Sequence, residues 1–207
     1  MSDLNIALLP TAYLPPIQYY SKLIAYPQIM IEHFEHFKKQ TYRNRTHIYS
    51  PNGKQTLVVP LKDRSERNVT KDIRISYNDP WQKLHWRSFE AAYRRSPYFE
   101  YYEDDLKNFY FEKKFEFLID LNSALMEFIN ISLKLTIKPQ STVSFEQVNK
   151  DFTDYRTIIS PKEELNTDPS FKVKEYTQVF DTKHGFISNL SIIDLLFNHG
   201  PRGMEYL

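Results

Sequence analysis

IALLPTAYLPPIQYYSKLIAYPQIMI, residues 6–31, decides the fold class. Ile6–Leu9 is a short, continuously apolar run halted at Pro10, the pattern of a buried strand feeding a loop. In that loop, Thr11-Ala-Tyr-Leu-Pro15-Pro16, the prolines fix backbone torsions and remove donors, so rigidity is expected. Residues 17–26 have the pattern of a short helix, ended by Pro27, and 28–31 supply a second apolar strand. Strand, loop, helix and strand make a βαβ-like start, which predicts an α/β sheet.

Working outward, 46–50 and 55–61 flank Pro51-Asn52-Gly53-Lys54, and Asn-Gly is a strong hairpin signal because both residues tolerate positive φ. Residues 69–76 are expected to add a strand. Asp79-Pro80 is a helix start, with an Asp cap and proline at the first helical position. Trp81, Leu84, His85, Ser88, Phe89 and Ala92 then share the apolar face at helical spacing, with Lys83, Arg87, Glu90 and Arg94 opposite. Further helices are predicted over 98–108 and 112–135. Short strands are predicted over 139–145 and 171–176, joined by an exposed loop. Ser191-Ile-Ile-Asp194 has capping-box spacing, and Asn198, Gly200 and Pro201 supply a stop. The expected architecture is a single α/β domain over residues 1–207. It has a short mixed sheet flanked by helices, a βαβ-like start and a helical middle.

Composition narrows the function classes. A chain of 207 residues can bury a sizeable single core. With no cysteine, disulfides, thiolate nucleophiles and Cys-based metal sites are excluded. Four glycines, at 53, 185, 200 and 203, cannot write a GxGxxG or P-loop fingerprint. A phosphate site would therefore rely on side chains and a helix N-terminus, and no cofactor is implied. The early apolar run is too short for a signal peptide or a transmembrane helix, so a cytoplasmic protein is expected. The net charge of +1 hides a division: residues 36–95 hold 14 Lys and Arg against five Asp and Glu. Such asymmetry fits either an anionic ligand near the basic part or two faces that attract one another.

Several residues are candidates for chemistry. Arg43 and Arg45 are one residue apart, so in a strand both guanidinium forks would share a face and grip one phosphate or carboxylate. On a plain surface the same pair would simply be solvated. His85, on the apolar face of its helix beside Trp81, is either a satisfied core histidine or a general base tuned by burial. Glu32-His33-x-Glu35-His36 lacks the i, i+4 histidine spacing of a helical zinc site, and in a strand its histidines face opposite ways. No metal is expected there. There is no GxSxG nucleophile elbow. Near-neutral charge and the lack of an aromatic platform signature argue against a nucleic-acid partner.

Four blocks, LLPTAYLPPIQYY (8–20), KQTYRNRTHI (39–48), WQKLHWRSFEAAYRRSPYFEYY (81–102) and NLSIIDLLFNHGP (189–201), resemble the WbqC-like family in the family's own order. The resemblance implies a part in bacterial O-antigen and related surface-polysaccharide biosynthesis, with transfer of an acyl or aminoacyl group to an amino sugar. It singles out Tyr13, Pro15 and Tyr19; Asn44 and Arg45; His85, Tyr93, Pro97, Tyr98 and Phe99; and Asn189, Ser191, Asp194, Asn198 and Gly200. The family's commoner first block has Gln-Pro-Tyr where this chain has Pro10-Thr11-Ala12, which removes a glutamine amide from the loop. Chemistry then suggests roles in an enzyme acting on an anionic small molecule, a nucleotide sugar or acyl donor. Arg43, Asn44 and Arg45 would hold the donor. Tyr13, Tyr19 and Asn198 would line the pocket, and His85 would act as general base. The alternative is a non-catalytic ligand-binding or assembly protein of a glycan pathway.

Overall fold

The computed structural model describes residues 5–62, 65, 67–147, 151–163 and 165–207. Strand β1 (Ile6–Pro10) is buried along its whole length and lies inside a four-stranded sheet. Helix α1 (Ile17–Ala25) carries the chain over to β2 (Gln28–Glu32), which pairs with β1 in parallel from Ile6↔Gln28 to Pro10↔Glu32. This is the βαβ unit expected from residues 6–31. The hairpin follows as β3 (Arg45–Ser50) and β4 (Gly53–Val58), antiparallel from Arg45↔Val58 to Ser50↔Gly53. Gly53 sits at φ +92°, the left-handed backbone that makes glycine the fitting residue of this turn.

Three helices form the middle: α2 (Trp81–Tyr93), α3 (Phe99–Phe111) and α4 (Leu118–Ser132). Two short strands, β5 (Gln140–Ser141) and β6 (Phe152–Asp154), complete the sheet in the order β5-β2-β1-β6, every pairing parallel. The chain ends with a single-turn helix α5 (Asp181–His184), then α6 (Ile192–His199) and a 3-10 segment Gly200–Tyr206. Residues Ile192–Asn198 are all buried, so α6 runs through the interior rather than over it. One continuous apolar core extends from Ala7 on β1 to Phe197 on α6. Each fully buried leucine or isoleucine within it contributes about 2 kcal/mol. No described helix is long and apolar enough to cross a membrane.

The α/β class and the parallel beginning match the expectation, with corrections in detail. The antiparallel strands form their own two-stranded sheet and do not join the parallel one. β6 lies inside the stretch expected to be exposed loop, whereas 171–176 make no described strand. Residues 69–76 hold a 3-10 turn at Thr70–Asp72 and isolated bridges, Leu61↔Ile75 and Arg74↔Phe117, in place of a strand. That second bridge keeps Phe117 extended, so α4 opens at Leu118 and not near 112. Helix α2 is rotated from its expected face. Leu84 is 55% exposed, while Trp86 is buried against Phe99 and Tyr110. Ser191 caps α6 by accepting from the Ile193 amide, but Asp194 does not reach back. Its carboxylate accepts from the Tyr176 hydroxyl and the Gln178 amide instead, and the Ser191 N–H donates to the His47 carbonyl.

Candidate functional site

The loop after β1 is buried, with Thr11, Ala12, Tyr13 and Leu14 at most 2% exposed. Loops normally stay at the surface because buried backbone needs partners. Here the partners come from two of the blocks that carry the family resemblance, 39–48 and 189–201. The Tyr13 N–H donates to the Tyr42 carbonyl (2.9 Å), and the Leu14 carbonyl accepts from Thr46 Oγ1 (2.6 Å) and Ser191 Oγ (2.9 Å). The Pro15 carbonyl accepts from the Ile192 amide (2.9 Å). Leu14 is held at φ +43°, a strained conformation for a branched side chain, which these bonds over-determine.

From this loop the Tyr13 hydroxyl reaches His85 Nδ1 (2.8 Å) and the Tyr110 hydroxyl (2.6 Å). The Val58 carbonyl favours the protonated His85 ring, but burial outweighs it. Burial depresses the imidazole to about 4, so it is neutral at pH 7. Tyr13 and His85 are thus brought together, inside a relay closed by Tyr110.

The other sequence candidates are dispersed around the same hub. Tyr19 donates its hydroxyl to the Pro10 carbonyl (2.8 Å). Arg43 precedes β3, so it does not share a strand face with Arg45. It is 1% exposed, and its guanidinium is turned onto Glu35, with Nε 2.9 Å from Oε1. The anion it holds is this chain's own. Burial raises the Glu35 carboxyl, an effect that Arg43 opposes. Asn44 donates to the Val59 carbonyl (2.9 Å) and Asn198 to the Asp194 carbonyl (2.7 Å), both as backbone ties. Arg45, half-buried at the start of β3, has a buried Nε with no hydrogen-bond partner among the described residues.

A groove of about 500 Å³ lies between α4 and the carboxyl ends of β1 and β2. Ligand sites of open parallel sheets form at that edge, and the volume suits a small molecule. Thr11 follows β1 and His33 follows β2; Ile31 and Met126 supply an apolar floor. Asn130, on α4 and 7% exposed, lines the groove with an Oδ1 that has no partner among the described residues. Burial lowers the His33 imidazole below 6.5 despite the opposing charges of Glu32 and Asp120, so it is neutral at pH 7. Glu127 and Lys138 stand at the rim, and among the described residues no arginine lines the groove.

Behind the strand ends an ion network fixes this edge. Glu32 accepts from the Phe34 and Glu146 amides, from Thr142 Oγ1 and from Arg156 Nη1 (3.0 Å). Asp154, at the end of β6, clamps the same arginine through Nε and Nη2. Burial alone would raise the Asp154 carboxyl, but the bonds from Arg156 outweigh it and hold the group below its usual range. Asn122 of α4 donates to Thr11 Oγ1 (3.0 Å) and the Arg43 carbonyl (2.9 Å), so it ties the groove floor to the Arg43 segment. Among the described residues no group of three or more His, Asp and Glu is placed to hold a metal. Sequence reasoning missed His33, Asn130 and Thr11 as groove residues. The available signal was position: Thr11 and His33 each stand just past an apolar strand.

A protein of Mycobacterium tuberculosis (strain ATCC 25618 / H37Rv), Rv1507c, described as uncharacterized, is 25% identical over 229 residues, spanning 98% of this chain and 97% of its own length. No solved structure is significantly similar. The family model of the WbqC-like proteins matches residues 11–169 and 164–206, a span that takes in the buried loop, the relay, the groove and α6. The chain belongs to the WbqC-like protein family.

Proposed function

We propose that this protein is a group transferase of bacterial surface-polysaccharide biosynthesis, moving an acyl or aminoacyl group onto an amino sugar bound in the groove beside α4. One observation carries the reading: a neutral, partly buried imidazole, His33, opens on a groove at the carboxyl ends of parallel strands. An unprotonated imidazole can take a proton from an attacking amine or hydroxyl, a contribution of about 10²–10⁴-fold in rate. The apolar floor suits a sugar ring face, and the Asn130 carbonyl suits an N–H or O–H donor on it. His85, bonded through Nδ1 to the Tyr13 hydroxyl, fixes Tyr13 and the loop.

The test is release of free thiol from acyl-CoA donors in the presence of glucosamine, galactosamine and their nucleotide-linked forms. Turnover is expected in the wild type, with a loss of about 100-fold in His33→Gln at pH 7 and an unchanged melting temperature. Turnover that survives His33→Gln would overturn the assignment. A second reading, a non-catalytic binding protein of a glycan pathway, is favoured by the lack of any described hydrogen bond that would orient the His33 ring. It predicts a ligand-dependent melting shift without turnover.

A further inference from the structure

The hairpin has one covered edge and one open edge. Outward-pointing groups on β3 are taken up by the interior: the Tyr49 N–H meets the Tyr93 hydroxyl, and the His47 carbonyl accepts from Ser191. On β4 the Val59 N–H donates to the Asn44 carbonyl, which fixes the parity of the ladder. Residues 53, 55 and 57 face β3, while Lys54, Thr56 and Val58 direct their backbone groups away from it. Of these outward groups only the Val58 carbonyl has a partner among the described residues, His85.

That open edge faces a groove of about 660 Å³ whose far wall is α2. Leu84, Arg87, Ser88 and Ala91 recur along the wall at helical spacing. Leu84, 55% exposed, and Val58, 39% exposed, give it two apolar contacts that the fold leaves uncovered. Among the described residues no acidic one lines the groove. Arg87 lines it and Lys54 extends from β4, and neither pairs with a carboxylate among the described residues. Past Pro51 and Ala91 the furrow continues to Arg95. A strand edge beside a helix is the geometry in which proteins capture extended peptides, with main-chain bonds giving affinity and alternate side chains giving specificity.

We propose that the groove between β4 and α2 binds an extended acidic segment of a partner protein, added to β4 as a further strand. The added strand would exchange hydrogen bonds with Lys54 and Thr56. Its acidic side chains would meet Lys54, Arg87 and Arg95, and apolar ones would cover Leu84 and Val58. The site is separate from the α4 groove and does not depend on the transferase reading.

The experiment is selection of octapeptides from a random displayed library on the immobilised protein, followed by anisotropy with fluorescein-labelled winners. Expected winners place Asp or Glu and an apolar residue on one strand face, an even number of positions apart, opposite Lys54 and Val58. N-methylating alternate peptide amides is expected to weaken binding by about tenfold or more, because main-chain bonds carry the affinity. Arg87→Glu and raised salt should weaken it as well. Thr56→Pro, tolerated on an edge strand, should do the same without loss of folding. Peptide N-methylation leaves the protein untouched, so it reads the edge even if a variant folds poorly. Failure to select any peptide, basic or uncharged winners, or indifference to N-methylation would overturn the proposal. So would self-association abolished by Thr56→Pro in light scattering, since the occupant would then be a second copy of the chain.

Discussion

Asp194→Asn is the most informative single change outside the groove. Asp194 is fully buried in α6, where burial raises its carboxyl from 3.8 to about 6 even though Tyr176, Tyr93 and Gln178 favour the charge. At 1.36 kcal/mol per unit, the shift corresponds to about 3 kcal/mol. The sign follows from proton binding: between pH 3.8 and 6 the folded state holds a proton that the unfolded chain has released. This contribution is complete below about pH 4 and lost as pH rises through 6. Asparagine has the same shape and can accept the bonds from Tyr176 and Gln178 without ionising. Relative to wild type, the variant should therefore gain about 3 kcal/mol between pH 4 and pH 7. His85 acts in the opposite sense: its depressed imidazole contributes stability that is lost on acidification from 6.5 towards 4. In the wild type Asp194 offsets part of the effect of His85 and of His47, which burial also depresses to about 4, so in the variant acid sensitivity steepens. Urea unfolding of both proteins at pH 4, 5, 6 and 7 measures the difference, from which other groups cancel. A difference constant to within about 0.5 kcal/mol, or one that shrinks as pH rises, would refute the reasoning.

Three further changes probe other links. Glu35→Ala leaves the Arg43 guanidinium buried and unpaired, and is expected to cost about 3–5 kcal/mol in chemical unfolding. The double variant Glu35→Leu, Arg43→Met should recover most of that loss. Asn130→Leu replaces a buried, partnerless acceptor with an apolar side chain of similar size. The melting temperature should rise, by the equivalent of about 1 kcal/mol, while ligand-induced shifts through the α4 groove disappear. Gly200→Ala places a methyl 2.5 Å from Tyr98 Cε1 at φ +58°, and calorimetry should show a loss of about 1–3 kcal/mol.

The parts of the fold written in local pattern were legible in the sequence. Ile6–Leu9, the prolines on either side of α1, and Asn52-Gly53 each name their own conformation through burial or torsion. What escaped reading depended on partners far along the chain. β6 has only three residues and no periodicity of its own, so it exists because β1 is buried and needs a neighbour on both edges. Phe117 is extended only because Arg74 bridges to it. Arg43 looked like an anion site because its own anion, Glu35, lies outside the motif that drew attention to it. The inward face of His85 is legible from helical spacing, but its hydrogen-bond partner Tyr13 lies 72 residues away. The groove went unread because it is assembled from α4 and two strand ends, none of which carries a motif.

The buried loop after β1 also constrains how the chain can be made. Its Leu14 carbonyl waits for Ser191, 177 residues later, and the Ile17 amide waits for the Leu190 carbonyl. At about 5–20 residues per second of synthesis, the first strand and helix emerge roughly ten seconds or more before their last partners. Until α6 arrives, the nascent chain must carry Tyr13, Leu14 and Ile17 without the lid that covers them. A ribosome-bound chain lacking residues beyond 188 would accordingly be a client for chaperones, and the arrival of residues 190–192 would commit the first loop to its strained shape.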